Sequence, residues 1–154
     1  MSNATLVIRP ADESDIPDVI RIERASFADP WSAESFVSSL DLERMRFLVA
    51  EESGDSKLLG YVIALVLSDE AEIADLAVAT DARRRGIGGV LLDRMAELVA
   101  QQGVRWLYLE VRESNVEARA LYESRSFLQV GRRKGYYRHP SEDALLLKRD
   151  LAPT

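Results

Sequence analysis

Three groups of residues have the types and spacing that chemistry requires. The first is Arg83-Arg84-Arg85-Gly86-Ile87-Gly88-Gly89, between a strand-like run and a helix-like run. Glycines let a backbone approach a ligand closely, and the first amides of a helix have no intrahelical partner. Those amides point outward at the positive end of the dipole, which makes an anion site suited to a pyrophosphate, and the arginines add charge. The segment is not a P-loop, because no Gly-Lys-Ser/Thr follows, and it lacks the third glycine of a dinucleotide fingerprint. A basic turn with glycines for tight packing is the alternative. The second group centres on Glu110. Trp106, Tyr108 and Glu110 share one face of a strand, and Glu110 lies near its carboxyl end, where ligands sit in open α/β sheets. Partial desolvation there raises a carboxylate towards a useful proton acceptor. An ion pair with Arg112 or Arg119 would instead make it structural. The third is Tyr122, which by itself reads as a core aromatic with its hydroxyl at the edge.

Composition narrows the chemistry further. The 154 residues include no cysteine and one histidine, His139. Disulfides, thiolate metal sites and cysteine nucleophiles are excluded, a multi-histidine metal site is impossible, and a serine–histidine triad would have to pass through His139. His139 lies beside Pro140 in an expected turn and is given no role; no metal is expected. A net charge of −6 argues against nonspecific nucleic-acid binding. Acidic clusters at 12–18, 41–55 and 69–81 contrast with basic ones at 83–85 and 132–138. An acidic body with a small basic loop suits an anionic cofactor at one place and a cationic substrate at another. No apolar run is long enough for a membrane span, and Met1 to Ala4 carry no export signal, so a cytoplasmic address is expected.

The elements that must position these residues follow from periodicity. Leu6 to Arg9 is a strand before Pro10. Asp12 and Ser14 can cap a helix through Phe27, which Asp29, Pro30 and Trp31 break. Ser32 caps a second short helix ending near Leu40. Phe47–Glu51 and Leu58–Leu67 flank 52–56 as a hairpin, and Glu72–Val78 is the next strand, antiparallel to its predecessor. Gly86 to Gln102 is helical, with Ile87, Leu91, Met95 and Leu98 in register and Gly103 at its end. Trp106–Val111 is a strand, Asn115–Ser124 a helix, and Leu128–Arg132 and Ala144–Arg149 the last strands. Strand–helix–strand from Glu72 to Val111 implies a parallel pair, and the remaining connections read as hairpins.

Arg83-x-x-Gly86-x-Gly88 resembles the Arg/Gln-x-x-Gly-x-Gly/Ala loop of the GNAT family of N-acetyltransferases. The likeness extends to 71–78, to Leu107-Tyr108-Leu109-Glu110-Val111-Arg112-Glu113-Ser114-Asn115, to Ala120-Leu121-Tyr122-Glu123-Ser124, to Tyr136-Tyr137 and Glu142-Asp143-Ala144, and to Asp29-Pro30-Trp31-Ser32. It departs at Arg125-Ser126-Phe127, where the family usually has a Leu-Gly-Phe-like turn. The resemblance implies one α/β (α+β) domain over 1–154: a mixed, mostly antiparallel sheet of about seven strands with a splayed parallel pair, flanked by about four helices. It implies acetyl-CoA as cosubstrate, held by Arg84, Arg85, Gly86, Ile87, Gly88 and Gly89 at the pyrophosphate, by the backbone of Leu76, Ala77 and Val78 at the pantetheine, and by Asn115. It implies Glu110 as general base for the incoming amine and Tyr122 as general acid for the leaving sulfur. Trp31 and Tyr137 would shape the acceptor site. Within the family, the likeness points to the branch that acetylates the N-terminal alanine of a basic ribosomal protein, small-subunit protein eighteen, with the enzyme a monomer or weak dimer. A small amine such as a polyamine or an aminoglycoside, or a silent acyl-CoA sensor, are the alternatives.

Overall fold

The computed structural model describes residues 5–54, 57–138 and 140–151. The readings made on Met1 to Ala4, on the turn at 55–56 and on His139 lie outside those residues. Seven strands form one sheet: β1 (Leu6–Pro10), β2 (Met45–Glu52), β3 (Leu58–Leu67), β4 (Glu70–Val78), β5 (Trp106–Arg112), β6 (Leu128–Arg138) and β7 (Ser141–Asp150). Their order is β1-β2-β3-β4-β5-β7-β6, and of the neighbouring pairs only β4 and β5 run parallel. Four α-helices accompany them: α1 (Ile16–Ser26), α2 (Ala33–Asp41), α3 (Ile87–Gln101) and α4 (Val116–Ser124).

The helices cover both faces of the sheet. Successive strand residues point to opposite sides. On β3 a Cβ at Gly60 would meet Leu91 of α3, whereas Tyr61 packs on Phe36 of α2 with ring centroids 5.8 Å apart. The core therefore has an α3 layer, with Leu91, Leu92 and Met95 fully buried, and an α1/α2 layer built on Val19, Ile22 and Phe36.

Local chemistry sets the element ends. Asp12 accepts from the Ser14 amide at 2.9 Å, and Asp15 accepts from the Asp12 amide in return, a reciprocal cap on a one-turn 3₁₀ helix that leads into α1. Ser14 itself does not cap. Ser32 caps α2 by accepting from the Ser35 amide at 3.1 Å, as expected. Gly103 follows α3 with φ +95°, the left-handed backbone that ends a helix without Cβ strain.

The chain departs from its sequence reading at the C-terminal strands. β6 and β7 each run well beyond 128–132 and 144–149, because the charged and aromatic residues 133–138 and 141–143 continue as a paired arm. Their polarity reads as loop, yet an edge strand faces water and tolerates charge. The arm's register breaks between Arg133 and Tyr137, where Gly135 adopts φ +61° and its amide donates to Asp143 at 2.9 Å. The expected hairpins are found at β2–β3, β3–β4 and β6–β7. As the helix readings expect, β1–β2 carries α1 and α2, and β5–β6 carries α4, which leads past the site where β7 later inserts.

The turn lacking the expected glycine keeps glycine's conformation. Ser126 has φ +70°, its amide donates to Glu123 at 3.1 Å, and the Phe127 amide donates to Tyr122 at 3.1 Å. This is the paired-bond helix ending that normally uses glycine at the left-handed position. Phe127 is fully buried and meets Tyr122 edge-on at 6.0 Å, so the turn also orients that phenol. Relief of left-handed strain outweighs the extra chain entropy of glycine. Ser126→Gly is therefore expected to stabilise the protein by roughly 0.5–1 kcal/mol, read as a raised melting temperature; an unchanged or lowered one contradicts this account of the turn.

Candidate active site

β4 and β5 pair only at Glu70–Trp106, Ala71–Leu107 and Glu72–Tyr108. Beyond that point each strand keeps its other neighbour, β4 with β3 and β5 with β7, but the two no longer meet. β4 also bulges, since Ile63 stands opposite Asp75 and Ala64 opposite Ile73, leaving Ala74 as the extra residue. Two clefts lie along this opening.

The smaller, about 440 Å³, is lined by Ala77, Val78, Arg83, Arg84, Gly86 to Gly89, Asn115 and Leu121 among others. Arg84 and Gly86 both take positive φ, +66° and +79°, so the loop turns sharply onto the N-terminus of α3. A Cβ at Gly88 would stand 3.2 Å from Leu121 and 3.7 Å from Val78, so the bare glycine keeps the cleft floor open. The first-turn amides of α3, an arginine and a bare backbone floor suit a phosphate-bearing ligand. Arg85 turns its side chain away to an ion pair with Glu52. Asn115 caps α4 by accepting from the Ala118 amide at 3.1 Å and also lines this cleft.

The larger cleft, about 630 Å³, is lined by Glu23, Asp29, Trp31, Glu72, Asp75, Leu76, Glu110, Arg112, Tyr122, Tyr136, Tyr137 and Arg138 among others. The two clefts adjoin: Leu76 and Ala77 are consecutive on β4, Leu121 and Tyr122 on α4, and Phe27 lines both. Glu110 and Tyr122 stand in the same cleft. The structure pairs Glu110 with Arg133 of β6 at 3.1 Å, not with Arg112 or Arg119. Arg112 reaches Glu142 at 3.2 Å and lies over the Tyr137 ring at 4.3 Å, and Arg119 donates to the Glu113 carbonyl at 2.9 Å. The extended β6 arm explains the change, because it carries Arg133 to β5 from a stretch that reads as loop.

Burial dominates the electrostatics of this cleft. It pushes the Tyr122 phenol up, with the charges of Tyr137 and Asp75 acting the same way, so that phenol holds its proton at neutral pH. Burial and then the Glu110 charge push Tyr137 up to about 12. Glu72 is raised by burial first and by Glu110 second, while Arg133 opposes both. Trp31 is half-buried, stacks on Phe36 at 5.3 Å, and fixes its backbone by donating its amide to Glu23 at 2.8 Å.

Sequence reasoning overlooked Glu23, Glu72, Asp75 and Arg133. Two had a signal: Glu23 repeats with Ile16 and Val19 on the apolar stripe of α1, and Asp75 falls in the period-two series of buried residues Ala71, Ile73 and Ala77 along β4. A carboxyl on a buried face is the informative exception. Among the described residues no group of three or more potential metal ligands is found, and no helix is long and apolar enough to cross a membrane.

The family model described as the acetyltransferase (GNAT) family matches residues 16–127. The chain belongs to the GNAT acetyltransferase family. It is an N-acetyltransferase that uses acetyl-CoA. The GNAT relatives include the [ribosomal protein bS18]-alanine N-acetyltransferase of Escherichia coli strain K12, 34% identical over 142 residues that cover 91% of this chain and 94% of that one. The crystal structure of the ribosomal-protein-S18-alanine N-acetyltransferase from Escherichia coli superposes with a TM-score of 0.88 at 33% identity, covering 97% and 96% of the two chains. Ard1 from Thermoplasma volcanium follows the same GNAT fold with a TM-score of 0.86 at 27% identity, over 96% of this chain and 99% of that one.

Burial and the neighbouring Glu23 raise Asp75 from an ordinary 3.8 to about 9. Between those values the folded chain holds a proton that the unfolded chain has lost, so Asp75 favours folding at low pH and progressively less as pH rises. The melting temperature of Asp75→Asn relative to the parent should therefore climb steadily from about pH 5 to about pH 9. Parallel curves would show an ionised Asp75.

Proposed function

We propose that this acetyltransferase modifies the α-amine of a peptide beginning with alanine, the N-terminal tail of a basic ribosomal protein, with the whole chain acting as one catalytic domain. The observation that carries the reading is the larger cleft, whose lining holds Glu23, Asp29, Glu72 and Glu110. That lining supplies counter-charge for a cationic terminus beside the phosphate-suited cleft. The relatives named for the alanine of bS18 support the same acceptor. An α-amine also loses its proton near pH 8, against about 10.4 for lysine, so one carboxylate base suffices near neutrality.

In this reading the pyrophosphate of acetyl-CoA rests on the amides of the Arg83–Gly89 loop and on Arg83 and Arg84, with Asn115 alongside. The pantetheine follows β4 at Leu76, Ala77 and Val78 like an added strand, because the backbone there is paired with β3 on one side but no longer with β5 on the other. A β4 amide polarises the thioester carbonyl. Glu110 takes the proton of the ammonium, and the freed amine attacks the carbonyl carbon. The carbon–sulfur bond breaks, Tyr122, protonated at neutral pH, gives its proton to the departing sulfur, and the acylated nitrogen sheds its remaining extra proton, which restores the phenol and leaves a neutral amide. Trp31 and Tyr137 flank the acceptor.

Two variants test these roles. Tyr122→Phe should retain fold and cofactor affinity but lose about ten- to a hundred-fold in single-turnover rate; a parental rate would reduce Tyr122 to packing on Phe127. Glu110→Gln should turn over slowly at neutral pH and recover as pH approaches the acceptor's own pKa, where solution supplies neutral amine. Parallel pH–rate profiles with a lowered melting temperature would assign Glu110 a structural part beside Arg133.

A further inference from the structure

Below the larger cleft lie two carboxyl side chains that neither the proposed base nor the proposed acid employs. Glu23 of α1 is 1% exposed. Its Oε1 accepts from the Tyr61 hydroxyl and its Oε2 from the Trp31 amide, so both oxygens are engaged. Asp75 of β4 is 8% exposed and sits against Glu23 and Tyr61. Its Oδ2 is buried and, among the described residues, has no hydrogen-bond partner. Both residues line the cleft. A buried carboxyl oxygen without a partner is an unfavourable arrangement that a ligand group can relieve.

The surroundings define which ligand group. Glu23 faces Asp75 from α1, Tyr61 from β3 and Tyr122 from α4. Elsewhere on the cleft lining stand Glu72, Glu110, Asp29, Tyr136 and Tyr137, with Arg112 and Arg138. Arg112 is drawn to Glu142, and Arg133 to Glu110. Among the described residues no cation reaches the unpartnered Asp75 oxygen. A donor carrying positive charge and small enough to enter beside Tyr122 is what this site lacks, and a protonated amine is such a group.

We propose that Asp75, seated on Glu23, receives the protonated α-amine of the acceptor at Oδ2, and that this pair releases a proton as the cation binds. The inference rests on the α-amine reading above. The empty pair holds one proton and one negative charge. The entering ammonium displaces that proton to solvent, leaving two carboxylates and one cation, so the net charge of the site is again −1. Acetylation then turns the ammonium into a neutral amide. With no cation present, two adjacent buried carboxylates are unstable together, and the pair takes a proton back. The site thus holds substrate and lets go of product, a distinction that shape alone does not provide. Asp75 is a positioning and specificity residue in this scheme, apart from the transfer step itself.

The test uses an alanyl-arginyl peptide and enzyme loaded with CoA, so that no turnover occurs. Difference infrared spectra should show loss of a protonated-carboxyl band when the peptide binds the parent enzyme, and no such loss in Asp75→Asn. With acetyl-CoA, the isosteric Asp75→Asn should raise the peptide KM about ten-fold or more, with a much smaller change in kcat. An unchanged carboxyl band in the parent overturns the proposal, and this reading needs no variant. A parental KM in a folded Asp75→Asn overturns it equally, while the α-amine reading stands because the peptide is still acetylated. If the parent enzyme leaves the peptide unmodified, the α-amine reading falls and this inference falls with it.

Discussion

Parallel pairing that stops after Glu72 and Tyr108 is the constraint on which the rest of the site depends. Every backbone amide and carbonyl needs a partner, so a strand that leaves its neighbour must be held elsewhere. β4 is held by β3 along nearly its whole length, and β5 by β7 at every position from Trp106 to Arg112. These outer ladders let the inner one open without loss of the sheet. The bulge at Ala74 adds a bend at the same level. Both clefts, the consecutive pair Leu76–Ala77 that divides them, and the inward placement of Asp75 all follow from this parting.

Charge is sorted along the opening. The cleft at the α3 N-terminus has helix amides, Arg83 and Arg84; the lining of the other includes five acids and three tyrosines beside Arg112 and Arg138. An anionic thioester donor and a cationic acceptor would thus approach from opposite ends and meet near Tyr122. The chain's net charge of −6 favours the cationic partner overall, so the donor depends on a small local reversal at the loop. Arg85 and Arg133 show that nearby arginines are not interchangeable: one is committed to Glu52, the other to Glu110.

How far the sequence speaks depends on whether a feature is local. The glycine loop, the Ser32 cap, the α3 period and the Gly103 stop are local, and the structure places them as read. So is the alternation that sets Glu110 beside Tyr108 on β5. The length of β6 and β7 is not local, since an edge arm rich in arginine and tyrosine carries no apolar alternation. Its consequence, Arg133 on Glu110, was therefore hidden. The Glu23–Asp75 pair lay between these cases. Each residue breaks an apolar pattern visible in the chain, but only the packing of α1 on β4 brings them together. Ser126 shows the reverse: a missing glycine in the sequence, and glycine's backbone in the fold.

The central claim is that the amine acetylated is the terminus of a peptide. It is tested most directly by fragment mass spectrometry of a peptide that begins Ala-Arg and carries internal lysines, incubated with acetyl-CoA and the enzyme. The account predicts one acetyl group on the terminal alanine, and no product once that terminus is blocked beforehand. Efficient acetylation of the internal lysines on the blocked peptide would contradict it.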